Sequence, residues 1–101
     1  MESIIQSGDE CYICVLIYGE DTPGTETHHC LHGSMRANAD ADGLTVELCR
    51  YHHSRLHDKG EFDKSLQIIA QRAYIDKLIT EGMTEEEARE RFRSRYGKFF
   101  E

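Results

Sequence analysis

The sequence predicts an α+β fold: a small, metal-stapled core of two strands and a short helix, followed by two C-terminal helices. Three observations point there. Two half-sites of matched spacing, Cys11-x-x-Cys14 and Cys49-x-x-His52, can together hold one zinc ion. Two short stretches, Thr25–His29 and Leu44–Leu48, alternate side chains with a period of two. Beyond Gly60 the pattern changes to helical spacing with clear start and stop signals.

The elements follow in order. Cys11-Tyr-Ile-Cys14 has the spacing of a zinc knuckle, and Tyr18 to Gly24 reads as a loop marked by Gly, Asp and the only Pro. Thr25–His29 carries β-branched residues at alternate positions and reads as a strand. Gly33 to Gly43 is rich in Ala, Asn and Asp and is expected to be a loop. Leu44–Leu48 is the second strand, and Cys49 to about Asp58 a short helix stopped near Lys59-Gly60. Ser65 to about Glu81 is a longer helix, with Leu66, Ile69, Ala70, Ala73 and Leu78 on one face and Gly82 at its end. Thr84-Glu-Glu-Glu87 is a capping box. The last helix runs to about Tyr96, with Gly97 as its left-handed stop.

The 101 residues make one domain: a core over 11–60 and a helical extension over 61–101. A chain this short buries limited apolar surface, so a metal staple matters to its stability. It holds 39% hydrophobic and 31% charged residues, the balance of a soluble globule. No apolar run is long enough to span a membrane, and the N-terminus lacks the pattern of a secretory signal. A reducing cytoplasm is expected, where paired cysteines point to metal or redox chemistry rather than disulfides. A redox role for Cys11-x-x-Cys14 lacks a βαβ context and leaves Cys49-x-x-His52 unexplained.

Net charge is −7, unevenly spread: residues 1–47 carry −8 and residues 48–101 carry +1. A nucleic-acid contact would therefore use the second half, and the acidic first half suits a protein partner. Arg89, Arg91, Arg93 and Arg95 alternate along a helix, so they spread around it and pair with nearby glutamates.

A second constellation joins His28-His29 to His53-x-x-x-His57. His53 and His57 are one helical turn apart and face the same way, which suits chelation of one cation. His28 and His29, adjacent on a strand, point to opposite faces. The alternatives are solvated surface histidines, or Cys30 or His32 standing in for a ligand.

Strand, His28-His29, loop, strand Leu44–Leu48 and Cys49-Arg-Tyr-His52-His53-Ser-Arg-Leu-His57 together resemble the HNH (His-Me finger, ββα-metal) endonuclease family. The whole chain, including the ending Arg-Tyr-Gly-Lys-Phe-Phe, resembles small phage and prophage HNH-like proteins. The resemblance implies a zinc treble clef as scaffold, with Cys11, Cys14, Cys49 and His52 on the structural zinc. It implies His29 as general base, and His28, His53 and His57 as ligands of a catalytic Mg²⁺, Mn²⁺, Ni²⁺ or Zn²⁺. The family's middle Asn has no counterpart, since that place reads Asp42-Gly43-Leu44; Asn38 or Asp42 would serve instead. Arg50 and Arg55 become candidate phosphate contacts, weighed against ordinary solvated helix charge.

The function implied is metal-dependent hydrolysis of DNA phosphodiester bonds by a phage-encoded cytoplasmic enzyme. The alternative is a non-catalytic zinc scaffold, an acidic protein-binding module that blocks a host nuclease or defence complex. The partner is then DNA, or a host or phage protein; a homodimer is compatible with either, and no membrane is expected.

Overall fold

The computed structural model describes residues 2–101. Five α-helices and one two-stranded antiparallel sheet make a small α+β fold. Helix α1 spans Tyr12–Tyr18, and strand β1 spans Thr25–His29. A single 3₁₀ turn, Gly33–Met35, leads into α2, Arg36–Asp42. Strand β2 is Thr45–Cys49 and α3 is Arg50–Lys59. Helices α4, Asp63–Thr80, and α5, Glu85–Tyr96, complete the chain.

The strands pair with His28 opposite Val46 and Thr27 opposite Glu47. Strand alternation then puts His28, Val46 and Leu48 on the core face, where all three are buried. The other face is wetter, and there Glu47 accepts hydrogen bonds from the Thr25 and Thr27 hydroxyls.

Two elements depart from the sequence expectation. The stretch expected as a loop between Gly33 and Gly43 contains α2. Its Asn and Asp residues favour turns, but three alanines offset them, and Gly43 closes the helix in the left-handed conformation. A side chain at Gly43 would also collide with the Glu2 carbonyl. The knuckle at Cys11 opens a two-turn helix instead of a bare turn, ended by Gly19.

One hydrophobic cluster unites the sheet with the C-terminal helices, running from Ile13, Leu44 and Val46 to Leu66, Ile75 and Phe92. Helix α4 buries Leu66, Ala70, Tyr74, Ile75 and Leu78, while Ile69 and Ala73 sit at the edge of that face. Phe92 is fully buried against Tyr74 and Tyr96. The buried Gln71 clamps the segment after α5: its Nε2 donates to the Phe100 carbonyl at 2.9 Å, and Phe100 N–H donates to its Oε1 at 2.6 Å. The capping box at Thr84 and Glu87 forms in full. No described helix is long and apolar enough to cross a membrane.

Candidate metal centres

Cys11, Cys14, Cys49 and His52 converge in the core, and all four are buried. Each pair is built the same way. Cys11 and Cys49 are the N-cap residues of α1 and α3, and Cys14 and His52 lie three residues on, one helical turn away. That turn points both ligands of a pair in one direction. The Cys11 thiol also accepts the Cys14 backbone N–H at 3.5 Å, as an N-cap side chain does.

The spacing fits one tetrahedral ion. Zinc bonds of about 2.3 Å to sulfur and about 2.0–2.1 Å to nitrogen imply edges of roughly 3.8 Å between sulfurs and roughly 3.6 Å from sulfur to nitrogen. Cys14 and Cys49 Sγ lie 3.9 Å apart. His52 Nδ1 lies 3.7, 3.5 and 3.4 Å from the sulfurs of Cys11, Cys14 and Cys49. All four cysteines are free thiols. This buried Cys₃His cluster can bind a metal such as zinc. Tyr51, Phe62 and Tyr18 pack around the His52 ring. Phe62 does so from a left-handed backbone, φ 67°, a strained conformation for a bulky residue.

The thiols are not equivalent. Burial works to raise the Cys11 thiol, but the backbone N–H groups of Cys49 and Cys14 outweigh it and set Cys11 below the ordinary value. Burial pushes Cys14 up to about 11. Gathering three thiolates therefore calls for a cation among them.

The second cluster lies on the core face of β1. Helix α3 packs there and presents His53 and His57, whose Nε2 atoms are 3.1 Å apart, to His28. One nitrogen from each of the three lies within 4.8 Å of the others. His28 is buried and its Nε2 has no hydrogen-bond partner. Burial, then the neighbouring imidazoles His32, His53 and His57, lowers its pKa to about 4, so it stays neutral and can donate a lone pair. Glu26 shares the strand face of His28, and its Oε1 accepts from His53 Nδ1 at 2.8 Å, which turns His53 Nε2 inward.

His29 faces away from His28, yet both open onto one cleft of about 250 Å³ that also includes His53, His57 and Arg36. The two bonds of His29 determine its tautomer. The Arg36 guanidinium only donates, so His29 Nε2, 3.0 Å from Arg36 Nη2, is the acceptor. Nδ1 then carries the proton and donates to Asp40 Oδ1 at 2.7 Å. Asp40 and Arg36 both come from α2.

Asp40 and Arg36 are not among the residues that the sequence singles out for this site. Asn38 and Asp42, the residues expected to orient His29, are engaged elsewhere: Asp42 accepts hydrogen bonds from Arg95 and Tyr96, and the Asn38 amide donates to the Arg95 carbonyl. An i,i+4 Arg–Asp pair is the one local signal, and it has meaning only on a helix. Arg55 is paired with Glu61 through Nε, 2.9 Å from both carboxylate oxygens. Arg50 is exposed at the start of α3. Cys30 is fully buried, and burial, with Asp63 nearby, pushes its thiol up to about 12, so it packs as an inert apolar group.

No protein-family model, curated protein or solved structure matches this chain.

Proposed function

We propose that this chain is a metal-dependent endonuclease of the HNH type, hydrolysing DNA phosphodiester bonds on a zinc-held treble-clef scaffold. The observation that carries the reading is the meeting of two devices on one cleft. Three histidines converge around a buried, unbonded nitrogen of His28, and beside them a carboxylate-oriented His29 offers its Nε2. A scaffold alone has use for Cys11, Cys14, Cys49 and His52 and none for this second set.

In this reading His28, His53 and His57 hold a divalent cation, which when bound supplies Lewis-acid stabilisation of charge on the phosphate and the leaving 3′-oxygen. His29 takes a proton from water at Nε2 as the water oxygen bonds to phosphorus and the bond to the 3′-oxygen breaks. Asp40 keeps the proton on Nδ1 and stabilises the imidazolium that forms. Arg36, 3.0 Å from His29 Nε2, is placed to move onto the phosphate when substrate enters. Arg50 is a candidate for a flanking phosphate. The implied setting is the cytoplasm of a bacterial host, as a phage or prophage protein.

The test is plasmid nicking with Mg²⁺, Mn²⁺, Ni²⁺ or Zn²⁺. Wild-type protein is expected to nick with at least one ion, and His29→Ala to retain metal but lose activity. No nicking with any ion, or full activity in His29→Ala, rejects the nuclease.

A second reading, a non-catalytic zinc scaffold docked on a protein, draws on α1. Val15, Leu16, Ile17 and Tyr18 are all exposed there, within the half of the chain that carries −8.

A further inference from the structure

His32 and Asp63 border the second cluster and have no role in the reaction above. The His32 ring lies edge-on to His28 with centroids 5.6 Å apart. His53 and His57 lie edge-on to the same ring at 5.5 and 6.0 Å. Three imidazoles thus surround His28 at nearly equal distance. His32 reaches back from the turn after β1 and is held by the first residue of α4: its Nε2 is 2.9 Å from Asp63 Oδ1. His28, His32 and Asp63 also bring one ligand atom each within 4.8 Å of the others, so two candidate triads share His28.

Carboxylate-bound histidines have one ring nitrogen fixed by the acid and the other left as a lone-pair donor. The pair His32–Asp63 repeats the pair His53–Glu26, at 2.9 and 2.8 Å. The two acids flank the cluster, one from β1 and one from α4. His32 already lines the same cleft as His28, His53 and His57, with its side chain 43% exposed.

We infer that His32, oriented by Asp63, is a fourth protein ligand of the ion held by His28, His53 and His57. A four-imidazole set takes a borderline transition ion such as Co²⁺, Ni²⁺ or Zn²⁺ in preference to Mg²⁺, which favours oxygen donors and keeps its waters. A six-coordinate ion on four imidazoles retains two positions for water and phosphate. Asp63 is a positioning residue, and through it the helical extension is tied to the centre. The inference rests on the metal centre of the preceding section and not on the cleavage reaction.

The experiment titrates Co²⁺ into the full chain with zinc already in the Cys₃His site, reading the visible absorption band and the calorimetric affinity. Wild type is expected to take up one Co²⁺, which millimolar Mg²⁺ does not displace. His32→Ala is expected to weaken binding about 10–100-fold and to change the position and intensity of the band. Asp63→Asn, checked for matched circular dichroism, should weaken binding less and keep the band. An unchanged affinity and band in His32→Ala overturns the inference, as does uptake of two Co²⁺ or displacement by Mg²⁺. Wild-type protein that binds no Co²⁺ overturns both this inference and the centre beneath it. Protein that binds Co²⁺ as expected and nicks no DNA removes the nuclease and leaves the ligand assignment standing.

Discussion

His29 Nδ1 lies 2.7 Å from Asp40 Oδ1, and the bond joins the last residue of β1 to the middle of α2. With Arg36 against the other nitrogen, the ring is held in one tautomer with its lone pair towards the cleft. Asp40→Asn is expected to fold normally, because that carboxylate is 41% exposed. The amide cannot stabilise an imidazolium, so cleavage should fall towards the loss of a general base, on the order of 10²–10⁴-fold. Matched nicking assays on wild type and variant decide it; equal rates would mean that Asp40 does not orient the base.

Removing the metal from the Cys₃His cluster should unfold the core. Three buried thiols and an imidazole lie within 4.8 Å of one another, and a metal ion bound among them would tie α1 to α3. Chelation, or Cys14→Ser, is expected to cause a large drop in helical circular dichroism and in melting temperature. Thiol labelling gives a second readout: the zinc-loaded protein should react slowly, and all four cysteines should react after chelation. A chelated protein with its melting point intact would show that the cluster does not support the fold.

The helical extension should be inseparable from the sheet. Leu66, Ile75 and Phe92 belong to the same buried cluster as Leu44 and Val46. A fragment ending at Gly60 would expose that surface and is expected to aggregate. Phe92→Ala in the full chain should cost about 3–5 kcal/mol, read by denaturant unfolding. A soluble, monomeric fragment of residues 1–60 would show that the two parts fold independently.

The capping box offers a pH-dependent contribution away from any metal ligand. The Thr84 backbone N–H, then its hydroxyl, lowers the Glu87 pKa below the usual carboxylate value. The unfolded chain therefore binds the proton more readily than the folded one. The box is fully stabilising above the unfolded carboxylate value, and its contribution is lost as pH falls through the lower folded value. Glu87→Gln should keep the geometry and abolish that dependence, since either side chain can close the box. Thr84→Ala should cost about 1 kcal/mol. Thermal melts across the acidic range test both, and an identical pH profile for wild type and Glu87→Gln would refute the assignment.

Local periodicity makes part of the site readable from the chain alone. Ligands three residues apart share one helical turn, so Cys11 with Cys14, and Cys49 with His52, were legible as pairs. So were His53 and His57, one turn apart, the alternation that sets His28 and His29 on opposite faces, and the Thr84–Glu87 cap; that His28 is the buried one of the two came from packing. Which distant groups meet these local units depends on how the elements pack. Asp40 reaches His29 because a stretch with mixed propensities becomes α2 once Ala39 is buried and Gly43 ends the helix. Asp63 meets His32 across 31 residues, Gln71 meets Phe100 across 29, and Arg95 meets Asp42 across 53. Such pairs leave no period in the chain. They arise when separate apolar faces are buried against one another, and that packing settles which polar side chains are brought together at its margins.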